Sequence, residues 1–135
     1  MDQRRFHRVK CSAPGGLIHN EMEYECRLEN VSLRGALISA NECIMVPLGE
    51  SCLFSVSLEP GTSPLLITIT IVHCFFSMVG VKFVAFSGDA ESRLLDFMKR
   101  TTTEPVKLME EWETIVEKRE ALQEEGLSRA SAAAP

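Results

Sequence analysis

The chain has 135 residues, 45% of them hydrophobic and 24% charged. That is enough apolar material for one compact domain with an appendage, and too much for disorder as the main state. No apolar run approaches the length of a membrane span, and a net charge of −5 argues against a general DNA or RNA binder, which carries excess positive charge.

Residues 1–8 read as an exposed arm. Over residues 1–10 Arg4, Arg5, Arg8 and Lys10 face only Asp2. The opening stretch MDQRRFHRVK has no apolar core of a signal peptide, so a cytoplasmic protein is expected. Val9 to Ile18 is a strand interrupted by Pro14, Gly15 and Gly16, which predicts an edge strand or a bulge. Asn20 marks the following turn. Tyr24, Cys26, Leu28 and Asn30 then alternate with Glu23, Glu25, Arg27 and Glu29, the period of a half-buried strand. Gly35 closes the break after Asn30, where a positive φ or a close backbone approach is cheap.

Ala36 to Ser39 is a short strand, and residues 41–49 form a loop. Cys52, Phe54, Val56 and Leu58 share one face of the next strand. Pro60 to Pro64 is a hairpin loop. Leu65 to Phe76 follows with Ile67, Ile69 and Ile71 on one face, then a tight turn near Ser77 and a strand from Val79 to Phe86. The period then changes. Ser87, Gly88 and Asp89 supply an N-cap for a helix carrying Leu94, Leu95, Phe97 and Met98, up to Arg100. A second helix over 105–126 bears an apolar stripe of Leu108, Trp112, Ile115 and Val116. Gly126 is expected to stop it, leaving 127–135 as a disordered tail. The stripe is expected to pack on the small barrel or sandwich that such short, regularly spaced strands suggest, which favours a monomer over a homodimer. Eight Glu against Lys107, Lys118 and Arg119 over 104–125 make this end acidic. A basic arm on an acidic body points to a small or local anionic partner.

The five cysteines, Cys11, Cys26, Cys43, Cys52 and Cys74, form no C-x-x-C pair and read as reduced, buried small hydrophobes. His73 and Cys74 are adjacent in a strand and point to opposite faces, so no metal site is expected. No nucleophile elbow, zincin or P-loop motif occurs. The expectation is a protein without catalytic residues, metal or cofactor.

Two stretches carry chemistry. Arg4 to Arg8 has R-x-x-x-R spacing, and Asn30-Val31-Ser32-Leu33-Arg34-Gly35 has the pattern N-x-S-x-x-G, with Arg8 and Asn30 standing 22 apart. Together they resemble the PilZ domain, the bacterial cyclic di-GMP receptor module, whose signature is R-x-x-x-R followed by [D/N]-x-S-x-x-G. Gly80-Val81-Lys82-Phe83-Val84 is similar to the last strand of that fold, and the resemblance spans 4–100. Both motifs in this order and separation arise by chance in roughly one chain in several hundred of this length.

The resemblance implies a mainly β fold: a six-stranded antiparallel PilZ-type barrel over 1–100 with C-terminal α-helices. It implies a non-enzymatic cyclic di-GMP receptor whose arm orders on binding and which signals to a protein partner that the sequence does not name. Ligand-binding residues would be Arg4, Arg5, Arg8, Asn30, Ser32 and Gly35. A PilZ-like adaptor that binds little or no nucleotide is the alternative.

The side-chain chemistry fits such a ligand. A guanidinium binds phosphate oxygens bidentately and stacks on bases, and its fork matches guanine O6 and N7. Asn30 can donate and accept at a guanine edge, Ser32 can bond a sugar or base, and Gly35 lets backbone come close. His7 is expected at the surface, and Arg34 toward solvent.

Overall fold

Alternation of buried and exposed side chains, interrupted at bulges, makes the strands. In the computed structural model, which describes residues 6–41, 44 and 46–133, they are β1 (Val9–His19), β2 (Met22–Val31), β3 (Gly35–Ala40), β4 (Ser51–Val56), β5 (Leu65–Phe75) and β6 (Met78–Phe86). All pairings are antiparallel, and the order β1-β2-β3-β6-β5-β4 closes into a barrel. The inward rows are those the alternation predicts. Leu17, Leu28, Ile38, Phe54, Ile67, Ile69 and Ile71 are almost completely buried, and each stabilises the fold by about 1.5–3 kcal/mol. Asn20 and Glu21 connect β1 to β2 with φ of 50° and 70°, the paired left-handed conformation of a two-residue hairpin.

β1 is not an edge strand. It pairs with β2 on one side and with β4 on the other, because closure of the barrel gives its second edge a partner that lies far along the chain. The bulge lies between Lys10 and Ala13. A second bulge, between Leu28 and Asn30, overturns another expectation. One extra residue there takes Asn30 out of the inward row of Tyr24, Cys26 and Leu28, and Val31 turns inward instead.

The chain divides into two compact units, Met1–Thr102 and Thr103–Pro135. The first unit ends in α1 (Ala90–Thr101), whose Ala90, Leu94, Leu95 and Met98 are buried. Asp89 occupies the N-cap position, but its side chain makes no cap bond. The Ala90 amide donates instead to the Ser87 carbonyl at 3.0 Å. Arg100 pairs with Glu59 at 2.7 Å, and Arg93 donates to the Ser63 carbonyl, tying α1 to the loop between β4 and β5.

The second unit is α2 (Pro105–Ala133). It continues through Gly126, where a stop and a tail were expected. A mid-helix glycine costs only about 1 kcal/mol relative to alanine, and the flanking Glu, Leu, Arg and Ala residues favour helix. Arg119 lies over the Trp112 ring at 5.9 Å. No described helix is long and apolar enough to cross a membrane.

Candidate ligand-binding site

Arg8 immediately precedes β1, and Asn30 lies near the end of β2. Register places Lys10 opposite Asn30, so the arm meets β2 where the bulge has turned Asn30 outward. Arg8 Nη1 donates to Asn30 Oδ1 at 2.7 Å. The two motifs, distant in sequence, are thus joined by a direct hydrogen bond at the barrel's outer wall. Beside this bond opens a pocket of about 210 Å³ lined by Arg8, Asn30, Leu37, Val72, His73 and Gly80, with Ala36 and Val81. Lys10, Arg34 and Lys82 are exposed. With Arg8 they provide cationic groups near the start of β1, the turn before β3 and the middle of β6.

Ser32 and Gly35 have different work. Ser32 is 2% exposed, and its hydroxyl is used inside the turn. Its Oγ accepts from the Gly35 amide at 3.1 Å and the Arg34 amide at 3.2 Å, and donates to the Gly35 carbonyl at 3.2 Å. The Ser32 amide also donates to the Gly35 carbonyl at 2.8 Å. The hydroxyl therefore holds the loop together. Gly35 pairs with Lys82, and a Cβ there would collide with the Val81 carbonyl oxygen. The close approach it permits is between β3 and β6, and it needs no positive φ.

Two residues anchor the arm. Phe6 lies under the Arg34 guanidinium, 5.0 Å from ring centroid to Cζ. Arg34 is exposed, as expected. His7 is not at the surface: it is 8% exposed, and its Nε2 lies 2.5 Å from Thr102 Oγ1 at the end of α1. Successive residues of an extended chain point to opposite sides, so the exposure of Arg8 carries the burial of His7 with it. Arg4 and Arg5 lie outside the described residues.

Sequence patterning assigned His73, Gly80 and Leu37 no part in this site. A glycine inside a strand pattern signals a bulge or a close approach, and Gly80 was the available clue. Among the described residues, no group of three or more His, Cys, Asp or Glu side chains could hold a metal ion.

The chain is thus a small closed barrel with an arginine–asparagine pair on its outer wall and a serine-built turn beside it. The PilZ domain family matches residues 2–100, and the chain belongs to that family. No curated protein matches it. Among solved structures it is similar to the Bacillus subtilis inhibitor of motility, MotI/DgrA, with a TM-score of 0.62 and 15% identity over 74% of this chain. The chain covers 51% of that protein, about half its length. It is also similar to the PilZ domain of CeSA from a cellulose-synthesizing bacterium, with a TM-score of 0.51 and 11% identity over 70% of this chain and 94% of that one. At these identities the likeness is one of fold.

Proposed function

We propose that this protein is a cyclic di-GMP receptor that passes the signal to a protein partner. The observation that carries the reading is the Arg8–Asn30 hydrogen bond at the rim of the pocket. It fixes a guanidinium beside the open space, where a phosphate or a guanine edge finds charge-assisted donors. The Asn30 amide group adds donors suited to guanine O6 and N7. Arg4 and Arg5 precede this point on the same arm and would add phosphate contacts. Ser32 and Gly35 support binding by holding the turn in shape. Such a site binds and releases; its groups offer no nucleophile with a paired base, and the reading is a receptor with no cofactor.

Signalling follows from how the arm is held. Phe6 rests on Arg34 and His7 bonds Thr102, so a ligand that draws Arg8 inward acts on residues fastened at two places. Isothermal titration with cyclic di-GMP tests the reading. Saturable binding that weakens roughly 30-fold or more in Arg8→Ala is expected, and a titration of the parent without saturable heat would overturn it.

One observation favours the second reading, an adaptor that binds little nucleotide. Phe75 and Phe76, at the β5–β6 tip, are 66% and 87% exposed with ring centroids 4.5 Å apart. Exposed paired aromatics suit protein contacts. A silent titration, together with partner binding that disappears in Phe76→Ser, would support it.

A further inference from the structure

The outward row that contains Asn30 continues around the barrel. Lys10 pairs with Asn30, Asn30 with Leu37, Leu37 with Gly80 and Gly80 with His73. Residues opposite one another in a ladder share a face, so these five stand in one line across β1, β2, β3, β6 and β5. Two bulges arrange this. The one between Leu28 and Asn30 turns Asn30 outward. The other lies between Ile71 and His73. Ile71 is buried, and simple alternation would send His73 inward with it. The extra residue re-aims His73 to the outer wall.

Gly80 then decides where the imidazole goes. Its missing Cβ leaves space that Nε2, Cε1 and Cδ2 of His73 occupy; any larger residue there would overlap the ring. The imidazole therefore lies across Gly80, and it remains exposed while lining the same pocket as Arg8, Asn30 and Leu37. Neighbouring strands are about 4.8 Å apart, so the ring lying over Gly80 stands two spacings, about 10 Å, from Asn30 along the row. A lone phosphate cannot bridge that length, whereas a ligand with two nucleotide units can.

We infer that His73 is a base-stacking residue of the cyclic di-GMP site. One guanine lies on the imidazole above Leu37 and Gly80, and the phosphates and second unit extend toward Asn30 and Arg8. The inference rests on the receptor reading above and adds a subsite on β5 that lies outside both motifs. The division of labour is chemical. Asn30 and Arg8 supply hydrogen bonds to edges and phosphates, and a flat ring supplies a π-face on which a base stacks.

A competing role for the ring is purely structural: an aromatic group laid over a strand glycine shields the backbone. Calorimetry on the full chain separates the two. His73→Ala should bind cyclic di-GMP about tenfold more weakly, while His73→Phe, which keeps a π-face, should bind within about threefold of the parent. Gly80→Ala should behave like His73→Ala, because the new Cβ displaces the ring. The chain has only three histidines, so the His73 ring C–H resonances are assignable by their loss in His73→Phe. They should move upfield on saturation with ligand. If the parent binds, Arg8→Ala binds much more weakly, and His73→Ala matches the parent, the stacking role is overturned and the receptor reading stands. If affinity falls in His73→Ala but Phe does not restore it and no ring resonance shifts, the ring only covers Gly80 and the inference fails. If the parent does not bind cyclic di-GMP, both readings fall.

Discussion

His7 Nε2 and Thr102 Oγ1 lie 2.5 Å apart although 95 residues separate them in sequence. One belongs to the arm just ahead of β1, the other is the C-cap of α1. The bond is partly buried, so replacing the hydroxyl by a methyl removes a partner without opening space. Thr102→Val is expected to lose about 1–2 kcal/mol of stability. For a unit of this size that is a fall in melting temperature of about 4–8 °C for each kcal/mol, readable by circular dichroism. An unchanged melting temperature would refute a stabilising role for this bond.

Arg8 makes the opposite prediction. Its side chain is exposed, so Arg8→Ala should leave stability within about 0.5 kcal/mol of the parent. Its effect on cyclic di-GMP should be large: about 2 kcal/mol or more, roughly 30-fold in affinity, because a charge-assisted bond and a stacking face go together. Parallel calorimetry and urea denaturation of one variant measure both halves.

Base selectivity follows from the same groups. Adenine presents an amino donor where guanine presents O6, so donors on Arg8 and Asn30 should prefer cyclic di-GMP to cyclic di-AMP. Competition between the two ligands at one salt concentration measures the preference, and rising salt should weaken the preferred ligand. Equal affinities would mean that the site reads phosphate alone.

Ser32 and Gly35 should separate from Arg8 in stability. Ser32→Ala removes the oxygen that receives two amides of the turn, leaving buried donors at a cost of about 1–3 kcal/mol. Gly35→Ala forces a Cβ against the Val81 carbonyl and must push β3 from β6, with a cost of about 1–3 kcal/mol. Both should lower the urea midpoint. A Ser32→Ala variant as stable as the parent but unable to bind would return the hydroxyl to a direct ligand role.

What the sequence made legible was local. The inward rows at Tyr24 to Leu28, Cys52 to Val56 and Ile67 to Ile71 follow from period two, and all are buried as expected. The Asn20 turn follows from one residue's tolerance of positive φ. The motif pair also placed Arg8 and Asn30 together, and they touch. What stayed hidden depends on partners distant in the chain. Closure gave β1 a second neighbour, and nothing in Pro14-Gly15-Gly16 announces β4. Bulges add one residue without a sequence mark, so the outward turns of Asn30 and His73 were unreadable. His7 in a basic arm looks polar and exposed, and its burial depends on Thr102 at the far end of the unit. For Ser32 the residue type alone does not give the hydroxyl's direction, which is set by the turn around it.

The cysteines yield the last prediction, for alkaline pH. Burial pushes the Cys26 thiol up from an ordinary 9.0 to about 12, with repulsion from Cys52 adding to it. Burial, then Glu29, pushes Cys11 to about 11. Cys52 is raised by burial and by Glu50. A thiol that stays protonated longer in the folded state than in the unfolded one makes the unfolded state the better acid. The fold therefore keeps the full contribution of these groups below about pH 9. It loses it as pH rises through 9 toward the folded values of about 11 and 12. Urea midpoints should fall between about pH 8 and about pH 10.5. Cys26→Ala is the control, because every other group titrates alike in both proteins. Its midpoint should start lower, since a buried side chain is trimmed, yet decline less steeply with pH than the parent's. Equal slopes would show that Cys26 ionises as readily in the barrel as in the unfolded chain, and that its burial has no influence on alkaline stability.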